Sequence, residues 1–374
     1  MKIEIKPVKS LQELMVFIKL PWQIYKNNRN WVPPLISDMK NTLNRKNPAF
    51  LNIEFEMFLA FKEGQPAGRI FVGIDKNLNQ RKNLKMGYFA LLETIEDFDV
   101  FFGLMDAAIN WLKDKNINLI KGPVSPFGVK GDEYKGLLIN AYDMPPVFMN
   151  SYNPPYYKSF IERYGFEKDY DLYAYYLDPK KLFAKDPKKI LEYAQKKYNF
   201  YLKSINLKAI DREVLDLKKV IDLSVPDEWE DLVPPSLEEI KEMAKKLKPF
   251  ADPDLIVIAR SQENPIGFGL ALPDYNEVLI HMKGKLTPFS IAKFLWYRKK
   301  IKGVRFFTMF VVPEFRQKGV SYAIYYQTFL NGLKKNYSYG EGSTIGEDNL
   351  RMRKDIESLG GIHYKTYRIY KKLL

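Results

Sequence analysis

One stretch of the sequence combines residue types and spacing that suit phosphate binding. Arg316-Gln-Lys-Gly-Val-Ser follows the apolar run Val304–Val312 and Pro313, and it opens the helical pattern Ser321–Leu333. At a turn that feeds a helix, backbone N–H groups are unpaired and lie at the positive end of the helix dipole. Gly319 has no Cβ, so a diphosphate can come close to the main chain there. We therefore predict a phosphate-binding turn; an ordinary tight turn with solvated basic side chains is the alternative.

The composition limits the chemistry that such a site can support. There are no cysteines, which excludes thiolate nucleophiles, disulfides and Cys-ligated metal. The only histidines are His281 and His363. With two histidines, neither a multi-His metal site nor a Ser-His triad is expected, and we expect no metal. The net charge of +14 favours anionic ligands such as nucleotides, nucleic acid or acidic lipid headgroups. A lysine-rich solvated surface is the alternative.

The cellular location is predicted from two sequence features, the N-terminal residues and the length of the apolar stretches. The first residues, M-K-I-E-I-K-P-V-K, have no apolar core of the kind found in signal peptides. No stretch of about 18 residues is apolar without charges, as a membrane-spanning helix requires. We therefore expect a cytoplasmic protein.

The elements that must position the turn occur twice. Q-P-A-G-R-I-F-V-G-I-D at 65–75 aligns with N-P-I-G-F-G-L-A-L-P-D at 264–274, a constant offset of 199 residues from Pro66 to Pro265. By hydrophobic periodicity, each half reads β-α-loop-β-β-β-α-β-α-β, which is mixed α/β. A period of about 200 residues indicates duplicated domains, which we place at 1–180 and 181–374.

The order of elements and the turn motif resemble the Gcn5-related N-acetyltransferase (GNAT) superfamily, in which R/Q-x-x-G-x-G/A binds the pyrophosphate of acetyl-CoA or another acyl-CoA. The resemblance covers most of the chain as two tandem copies and is strongest from Leu255 to Leu374. It implies, for each domain, a mostly antiparallel central sheet flanked by helices, with one splayed pair of strands. The segments Trp31–Phe50 and Gly340–Tyr370 resemble a bacterial branch that includes acyltransferases linked to lipid synthesis.

The resemblance also implies a role for each residue around the turn. The turn amides would hold the pyrophosphate, the strand edge before the turn would pair with the pantetheine arm and polarise the thioester carbonyl, and an asparagine on the last helix would face the arm. The implied cofactor-binding residues are Phe310, Val311, Val312, Arg316, Gln317, Lys318, Gly319, Val320, Ser321 and Asn349.

The first copy departs from this pattern. The stretch Tyr88–Leu104 contains no R/Q-x-x-G and instead carries Glu93, Glu96, Asp97 and Asp99. Carboxylates suit a helix N-terminus but repel a pyrophosphate. We predict that the first domain keeps the fold, has lost CoA binding and forms one side of the acceptor cleft; a misalignment of the two halves is the alternative.

Candidate catalytic groups follow from the chemistry of acyl transfer to an amine, which needs a base for the ammonium proton and often an acid for the leaving thiolate. The superfamily often places a tyrosine four residues before the glycine of the last helix, where this chain has Ile356. Tyr364 and Tyr367 are candidates to replace it, with simple packing as the alternative. Glu341 lies just before a predicted strand at Ser343–Ile345, near the point where the paired strands should part, and is the first candidate for the base. We expect Asp348 to cap the last helix.

These observations predict an acyl-CoA-dependent N-acyltransferase with a small-molecule or lipid-like amine as acceptor. One alternative is an aminoacyl-tRNA-dependent transferase of similar tandem fold, which the basic charge favours and the intact pyrophosphate turn opposes; we do not expect a nucleic-acid partner. The other is a non-catalytic acyl-CoA-binding protein, suggested by Ile356. The apolar and basic segment Pro288–Lys302 suits a lipid-like group or a membrane surface, with a core-facing helix as the alternative.

Overall fold

The computed structural model describes residues 2–129, 131–183, 185–225 and 234–374. The chain divides into two compact units, the first made of Met1–Leu172, Asn276–Lys299 and Lys365–Leu374 and the second of Tyr173–Tyr275 and Lys300–Tyr364. Segments 276–299 and 365–374 therefore group with the first unit, although the domain 181–374 predicted from the repeat contains them. The boundary of the duplication near residue 180 stays a prediction.

Strands and helices follow in the order that the repeat indicates, with additional short helices. The elements as far as β7 are β1 (Ile3–Pro7), α1 (Leu11–Ile24), α2 (Ile36–Thr42), β2 (Ile53–Lys62), β3 (Gln65–Asp75), α3 (Lys76–Lys82), β4 (Met86–Thr94), α4 (Phe98–Lys113), β5 (Leu119–Gly122), β6 (Leu137–Leu138), α5 (Tyr156–Arg163) and β7 (Glu167–Leu177). The remaining elements are α6 (Lys188–Lys197), β8 (Tyr201–Ser204), α7 (Ile210–Ser224), α8 (Leu237–Leu247), β9 (Ile256–Ser261), β10 (Asn264–Pro273), α9 (Asn276–Met282), α10 (Pro288–Tyr297), β11 (Gly303–Val311), α11 (Val320–Lys334), β12 (Tyr339–Gly346), α12 (Leu350–Ser358) and β13 (Ile362–Leu373). Helices α9 and α10 belong to the first unit.

The sheet of the first unit is antiparallel except at one pair of strands. Its order is β1-β2-β3-β4-β5, with the end of β13 next to β5. β4 and β5 are parallel, and their register runs from Met86↔Leu119 to Tyr88↔Lys121. β4 continues to Thr94, where it pairs with Gly68 of β3. The two parallel strands thus part after a short paired segment.

The sheet of the second unit repeats this arrangement in the order β8-β9-β10-β11-β12. β11 and β12 are parallel and pair from Gly303↔Tyr339 to Phe306↔Gly342. β10 and β11 pair much further, as far as Gly267↔Val311. β11 therefore runs on beyond its contact with β12, and this confirms the predicted mixed α/β fold with a mostly antiparallel sheet and a splayed strand pair.

Equivalent hydrogen bonds in the two units support the alignment of the halves. The N–H of Ile95 donates to the carbonyl of Ala67, and the N–H of Val312 donates to the carbonyl of Ile266, both at 2.9 Å. Ala67 and Ile266 are separated by the same offset as the aligned prolines. The alternative that the halves are misaligned is therefore wrong at these strands.

Each unit packs the helix after its splayed strand onto its own apolar core. Helix α4 repeats an apolar residue every four positions, and Val100, Leu104, Ala108 and Leu112 are fully buried. Helix α11 buries Val320, Ala323, Ile324 and Thr328 in the same way. This packing fixes the position of each helix start relative to the strand that precedes it.

Two features of the described chain concern the sequence predictions for loops and membranes. The stretch Asn27–Phe50 is rich in asparagine and proline, a composition typical of loops, yet it contains helix α2. None of the helices in the described part of the chain has the length and apolar character needed to cross a bilayer.

Candidate active site

The predicted phosphate-binding turn lies between β11 and α11. A short 3-10 helix at Pro313–Phe315 ends the strand, and Gly319 precedes α11 with φ 78° and ψ 4°. Gln317 also has a positive φ of 62°, whereas Lys318 between them does not. Residues of alternating handedness turn successive N–H groups to one side and form a concavity, or nest, that binds anions. The turn therefore has the backbone shape of an anion site.

The amides of this nest are available to a ligand. The N–H groups of Gln317, Lys318, Gly319, Val320 and Ser321 donate no hydrogen bond in the described chain. No side chain caps α11, whose N-cap residue is Gly319. A Cβ added to Gly319 would meet one atom within 4 Å, the Cβ of Ala194 at 3.4 Å. The space beside the main chain is thus open.

The two basic side chains of the turn have different roles. Arg316 donates from Nε to the carbonyl of Val311 at 3.2 Å and from Nη2 to the carbonyl of Ser224 at 2.8 Å. Its guanidinium ties the turn to the end of α7, and its charge stays beside the nest. The Nζ of Lys318 lies 4.9 Å from the centre of the Phe315 ring, a contact that an ammonium can leave for a bound anion.

The predicted pantetheine-binding edge is the part of β11 beyond its register with β12. Phe310 and Val311 lie in this part and are half-buried. The third predicted residue, Val312, already uses its N–H for the hydrogen bond to Ile266. A bound arm would therefore rely on the backbone of Phe310 and Val311.

Glu341 lies within β12, opposite Arg305 of β11, and its side chain is fully buried. It accepts hydrogen bonds from the Ser343 hydroxyl at 2.6 Å and from the Tyr364 hydroxyl. The buried guanidinium of Arg305 donates from Nε to Ser343 Oγ at 3.0 Å and from Nη2 to the Ser343 carbonyl at 3.3 Å. These four residues form a polar network next to the point where β11 and β12 part.

Two members of this network, Arg305 and Ser343, were not among the residues predicted from the sequence. Ser343 was assigned only to a strand, and Arg305 was treated as part of the apolar run Val304–Val312. A charged residue inside an otherwise apolar strand was the available signal, since a buried arginine needs partners. Glu341 itself was expected just before a strand at Ser343–Ile345, but β12 already begins at Tyr339.

The two candidate tyrosines have different environments. Tyr364 is half-buried and donates its hydroxyl hydrogen to Glu341, so it forms the accessible end of the network. Tyr367 is fully buried in the first unit, where it pairs with Leu138 of β6. The structure thus joins Tyr364 to Glu341 and places Tyr367 in the other unit. Ile356, at the position of the superfamily tyrosine, packs in a small apolar cluster with Tyr175.

Asn349 caps helix α12. Its Oδ1 accepts a hydrogen bond from the N–H of Met352 at 3.2 Å. The expectation that Asp348 caps this helix is therefore wrong, since the neighbouring asparagine has the side chain that reaches the free amide. The predicted contact of Asn349 with the cofactor arm stays a prediction.

A largely apolar pocket, open to solvent, lies next to the last paired residues of β11 and β12. Phe306, which forms the last β11–β12 pair, lines it together with side chains of α11 and α12. The hydroxyl of Tyr325 is buried there without a hydrogen-bond partner, and burial raises the pKa of Tyr325. The pocket can therefore take an apolar group and offers it one unsatisfied hydroxyl.

The corresponding helix start in the first unit is closed by its own side chains. Asp97 caps α4, because its Oδ1 accepts hydrogen bonds from the N–H groups of Asp99 at 2.9 Å and Val100 at 3.3 Å. The other carboxylate oxygen of Asp97 pairs with Lys62. An anion would have to displace this carboxylate, which supports the prediction that the first copy has lost its pyrophosphate site.

Glu93 is the second acidic residue that distinguishes the first copy. It pairs with Arg69 across β3 and β4, at the register position that Phe310 holds in β11. Its Oε2 accepts hydrogen bonds from the hydroxyls of Tyr25 and Tyr157, both at 2.8 Å, and its Oε1 lies 3.9 Å from Arg69 Nη2. Burial raises the pKa of Glu93 to about 7, although Arg69 and the two hydroxyls act in the opposite direction. Glu93 is thus a proton acceptor near neutral pH.

Comparisons with known proteins identify relatives along the whole chain. Protein YghO of Escherichia coli K12 is 32% identical over 368 residues, which cover 96% of this chain and 93% of the relative. The bacterial ceramide synthase of Caulobacter vibrioides is 32% identical over 387 residues, covering 100% and 98%. No family model matches the chain.

A comparison with solved structures agrees with the mixed α/β fold described above. A tandem GNAT protein from the clavulanic acid biosynthesis pathway superposes with a TM-score of 0.56 at 11% identity, covering 100% of this chain and 98% of that one. At this identity the likeness concerns the fold alone.

Proposed function

Because the chain belongs to the tandem GCN5-related N-acetyltransferase family and has the fold of its acyltransferases, we propose that it is an acyl-CoA-dependent N-acyltransferase whose second unit holds the cofactor. The acceptor in this proposal is a small-molecule or lipid-like amine. The name of the relative from Caulobacter vibrioides, a ceramide synthase, makes a lipid-like amine the first acceptor to test.

The observation that carries the proposal is the open nest at the start of α11. Five consecutive amides, from Gln317 to Ser321, have no partner in the described chain. Gln317 is exposed, but the other four residues are buried or half-buried. Because amides in such positions are normally paired, an anionic ligand explains this cluster best. The first copy provides an internal contrast, because Asp97 occupies the same place at α4.

The remaining residues fit the arm and the acyl group of the same ligand. An acyl-CoA supplies an acyl group activated as a thioester. The backbone of Phe310 and Val311 would hold its arm, and the pocket beside Phe306 would admit the acyl group. Lys318 would add a charge-assisted contact to the phosphates.

Glu341 and Tyr364 provide a route for the proton of the acceptor's ammonium. The Tyr364 hydroxyl donates to Glu341, so its oxygen keeps lone pairs that can accept a hydrogen bond from an incoming ammonium. Transfer of that proton through Tyr364 to Glu341 would leave a neutral amine, which is the nucleophilic form. Arg305 and Ser343 hold the carboxylate in place.

Calorimetry with CoA tests the binding part of the proposal. We expect Gly319→Glu to weaken CoA binding by at least about 10-fold, since a carboxylate about 5 Å from a doubly charged diphosphate costs roughly 2 kcal/mol even at the dielectric constant of water. Gly64→Glu is a matched control, because Gly64 has the same φ of 78° and no atom near its added Cβ, but lies in the β2–β3 turn.

Absence of CoA binding, or equal affinities for the Gly319 and Gly64 variants, would contradict the proposal. A steeply salt-dependent affinity for tRNA would instead favour the aminoacyl-tRNA alternative. Tight CoA binding without thiol release across a panel of amines would favour a non-catalytic role. Mass spectrometry of a co-purified CoA thioester would report the acyl chain directly.

A further inference from the structure

Helix α10 of the first unit has its apolar side turned outward. Phe289 is 70% exposed, Ile291 47%, Leu295 53% and Trp296 56%. The opposite side contains the buried Ser290 and the half-buried Lys293, Phe294 and Tyr297. Helices of globular proteins normally bury the apolar stripe and expose the polar one. The alternative of a helix that faces only the core therefore does not account for α10, which exposes an apolar side.

The helix is well formed and firmly attached despite this exposure. Thr287 and Ser290 form a capping box at its start, and Pro288 occupies the first turn. At its other end, the Tyr297 ring stacks on His281 of α9 with centroids 3.9 Å apart. The Trp22 indole also donates to the carbonyl of Lys283 just before the helix, at 3.3 Å. These contacts hold α10 in place on the first unit, so its apolar side has a defined position.

The segment that contains this face carries charges of one sign. Residues 283–302 include seven lysines or arginines and no aspartate or glutamate. Lys283, Lys285, Arg298 and Lys299 are exposed around the two ends of the helix. Lys293 reaches up to the face itself, with its Nζ 4.7 Å from the centre of the Phe289 ring.

We propose that the outward face of α10, formed by Phe289, Ile291, Leu295 and Trp296, binds the surface of an anionic lipid bilayer. Large exposed apolar patches mark interaction sites. A short helix with apolar and aromatic side chains flanked by lysines and arginines suits the boundary between headgroups and acyl chains. A second copy of the chain is a poorer occupant, because two such faces would bring their positive charges together.

This inference is independent of the proposed function, since α10 contains none of the residues assigned to cofactor binding or proton transfer. It also differs from a spanning segment, because the helix would lie in the plane of the membrane surface. Binding should weaken as salt screens the basic residues.

Vesicle co-sedimentation of the full chain tests the inference. With phosphatidylcholine vesicles, we expect binding to rise at least about 10-fold when phosphatidylglycerol is included. Phe289→Glu combined with Trp296→Glu should reduce binding to the anionic vesicles by at least about 10-fold, because each aromatic side chain loses its transfer into the apolar layer. Leu51→Glu is the matched control, since Leu51 is 86% exposed in the same unit but lies far along the chain from α10.

Trp296→Phe locates the contact. It keeps the apolar face, so binding should persist, but the vesicle-induced blue shift of tryptophan fluorescence should largely disappear. CoA affinity and the thermal transition should be the same in all variants, which separates a surface effect from misfolding.

Equal binding of the double Glu variant and the Leu51 variant would overturn the proposal, as would equal binding to neutral and anionic vesicles. Sedimentation velocity gives a further outcome that would overturn it. If the wild-type chain is a dimer and the double Glu variant is a monomer, the face is an interface between copies rather than a membrane contact.

Discussion

Substitution of Glu93 by glutamine should change the pH dependence of stability, because the folded carboxyl binds its proton more tightly than the unfolded one. Its pKa is about 7 in the folded chain against 4.5 for the free side chain, and burial is the main cause. Between these values the folded state holds a proton that the unfolded state has released, so stability falls as the pH rises. Glutamine has a similar shape, can accept the same hydroxyl donors and does not titrate.

The size of the effect follows from the two pKa values. By linkage, the Glu93 carboxyl contributes about 2.5 kcal/mol more to the free energy of unfolding at pH 5 than at pH 8. The wild-type chain should therefore lose about 2.5 kcal/mol relative to Glu93→Gln across this range. Tyr25 and Tyr157, which donate to Glu93, stay protonated throughout because their pKa values are raised well above 10. Any constant cost of the substitution cancels in the comparison.

Urea unfolding followed by tryptophan fluorescence measures this difference. For an m value of about 2 kcal/mol/M, the gap between the two midpoints should move by about 1 M from pH 5 to pH 8. Glu96→Gln serves as the control, since Glu96 lies in the same acidic stretch but is exposed. A gap that stays constant with pH for Glu93→Gln, or that moves equally for Glu96→Gln, would refute the reasoning.

Four further substitutions test other parts of the structure. Tyr364→Phe and Glu341→Gln should each lower kcat by about 100-fold, because the proton route is broken, while CoA affinity is unchanged in calorimetry; wild-type turnover in both would remove this pair from the mechanism. Asp97→Ala should lower the free energy of unfolding by about 1–2 kcal/mol through loss of the α4 cap, measured by urea unfolding, and a neutral result would contradict the capping role. Arg316→Ala should weaken CoA binding about 3- to 10-fold and speed amide exchange in the turn, because it releases the tie to Ser224; unchanged exchange would show that the turn holds itself.

The sequence was sufficient to predict the parts of the fold that depend on local patterns. Alternating apolar residues and the Gln65–Asp75 repeat predicted the strands, and the equivalent hydrogen bonds at Ala67 and Ile266 agree with the predicted offset. The glycine between an apolar run and a helical pattern predicted the position of the turn. These features are encoded within about ten residues of each other, so periodicity and turn chemistry can identify them.

Side-chain partnerships between distant segments could not be predicted in this way. Glu341 was a reasonable candidate by type, but its contact with Tyr364 depends on how β12 and β13 are placed. Arg316 was expected to face a phosphate, and its hydrogen bond to Ser224 joins residues 92 positions apart. The sequence also left two orientations of α10 open, because an apolar helix has the same sequence pattern whether its apolar side meets the core or the solvent.

The open start of α11 has a thermodynamic consequence for the whole chain. A helix that lacks an internal cap is completed only when a ligand supplies acceptors for its amides, so the stability of the second unit should depend on ligand concentration. At a ligand concentration about 100 times Kd, this linkage adds about 2.7 kcal/mol. The first unit carries its own acceptor in Asp97 and should gain nothing directly from the same ligand. How long the folded protein persists in the cell would then depend on the cofactor concentration, and this dependence would arise from the second unit alone.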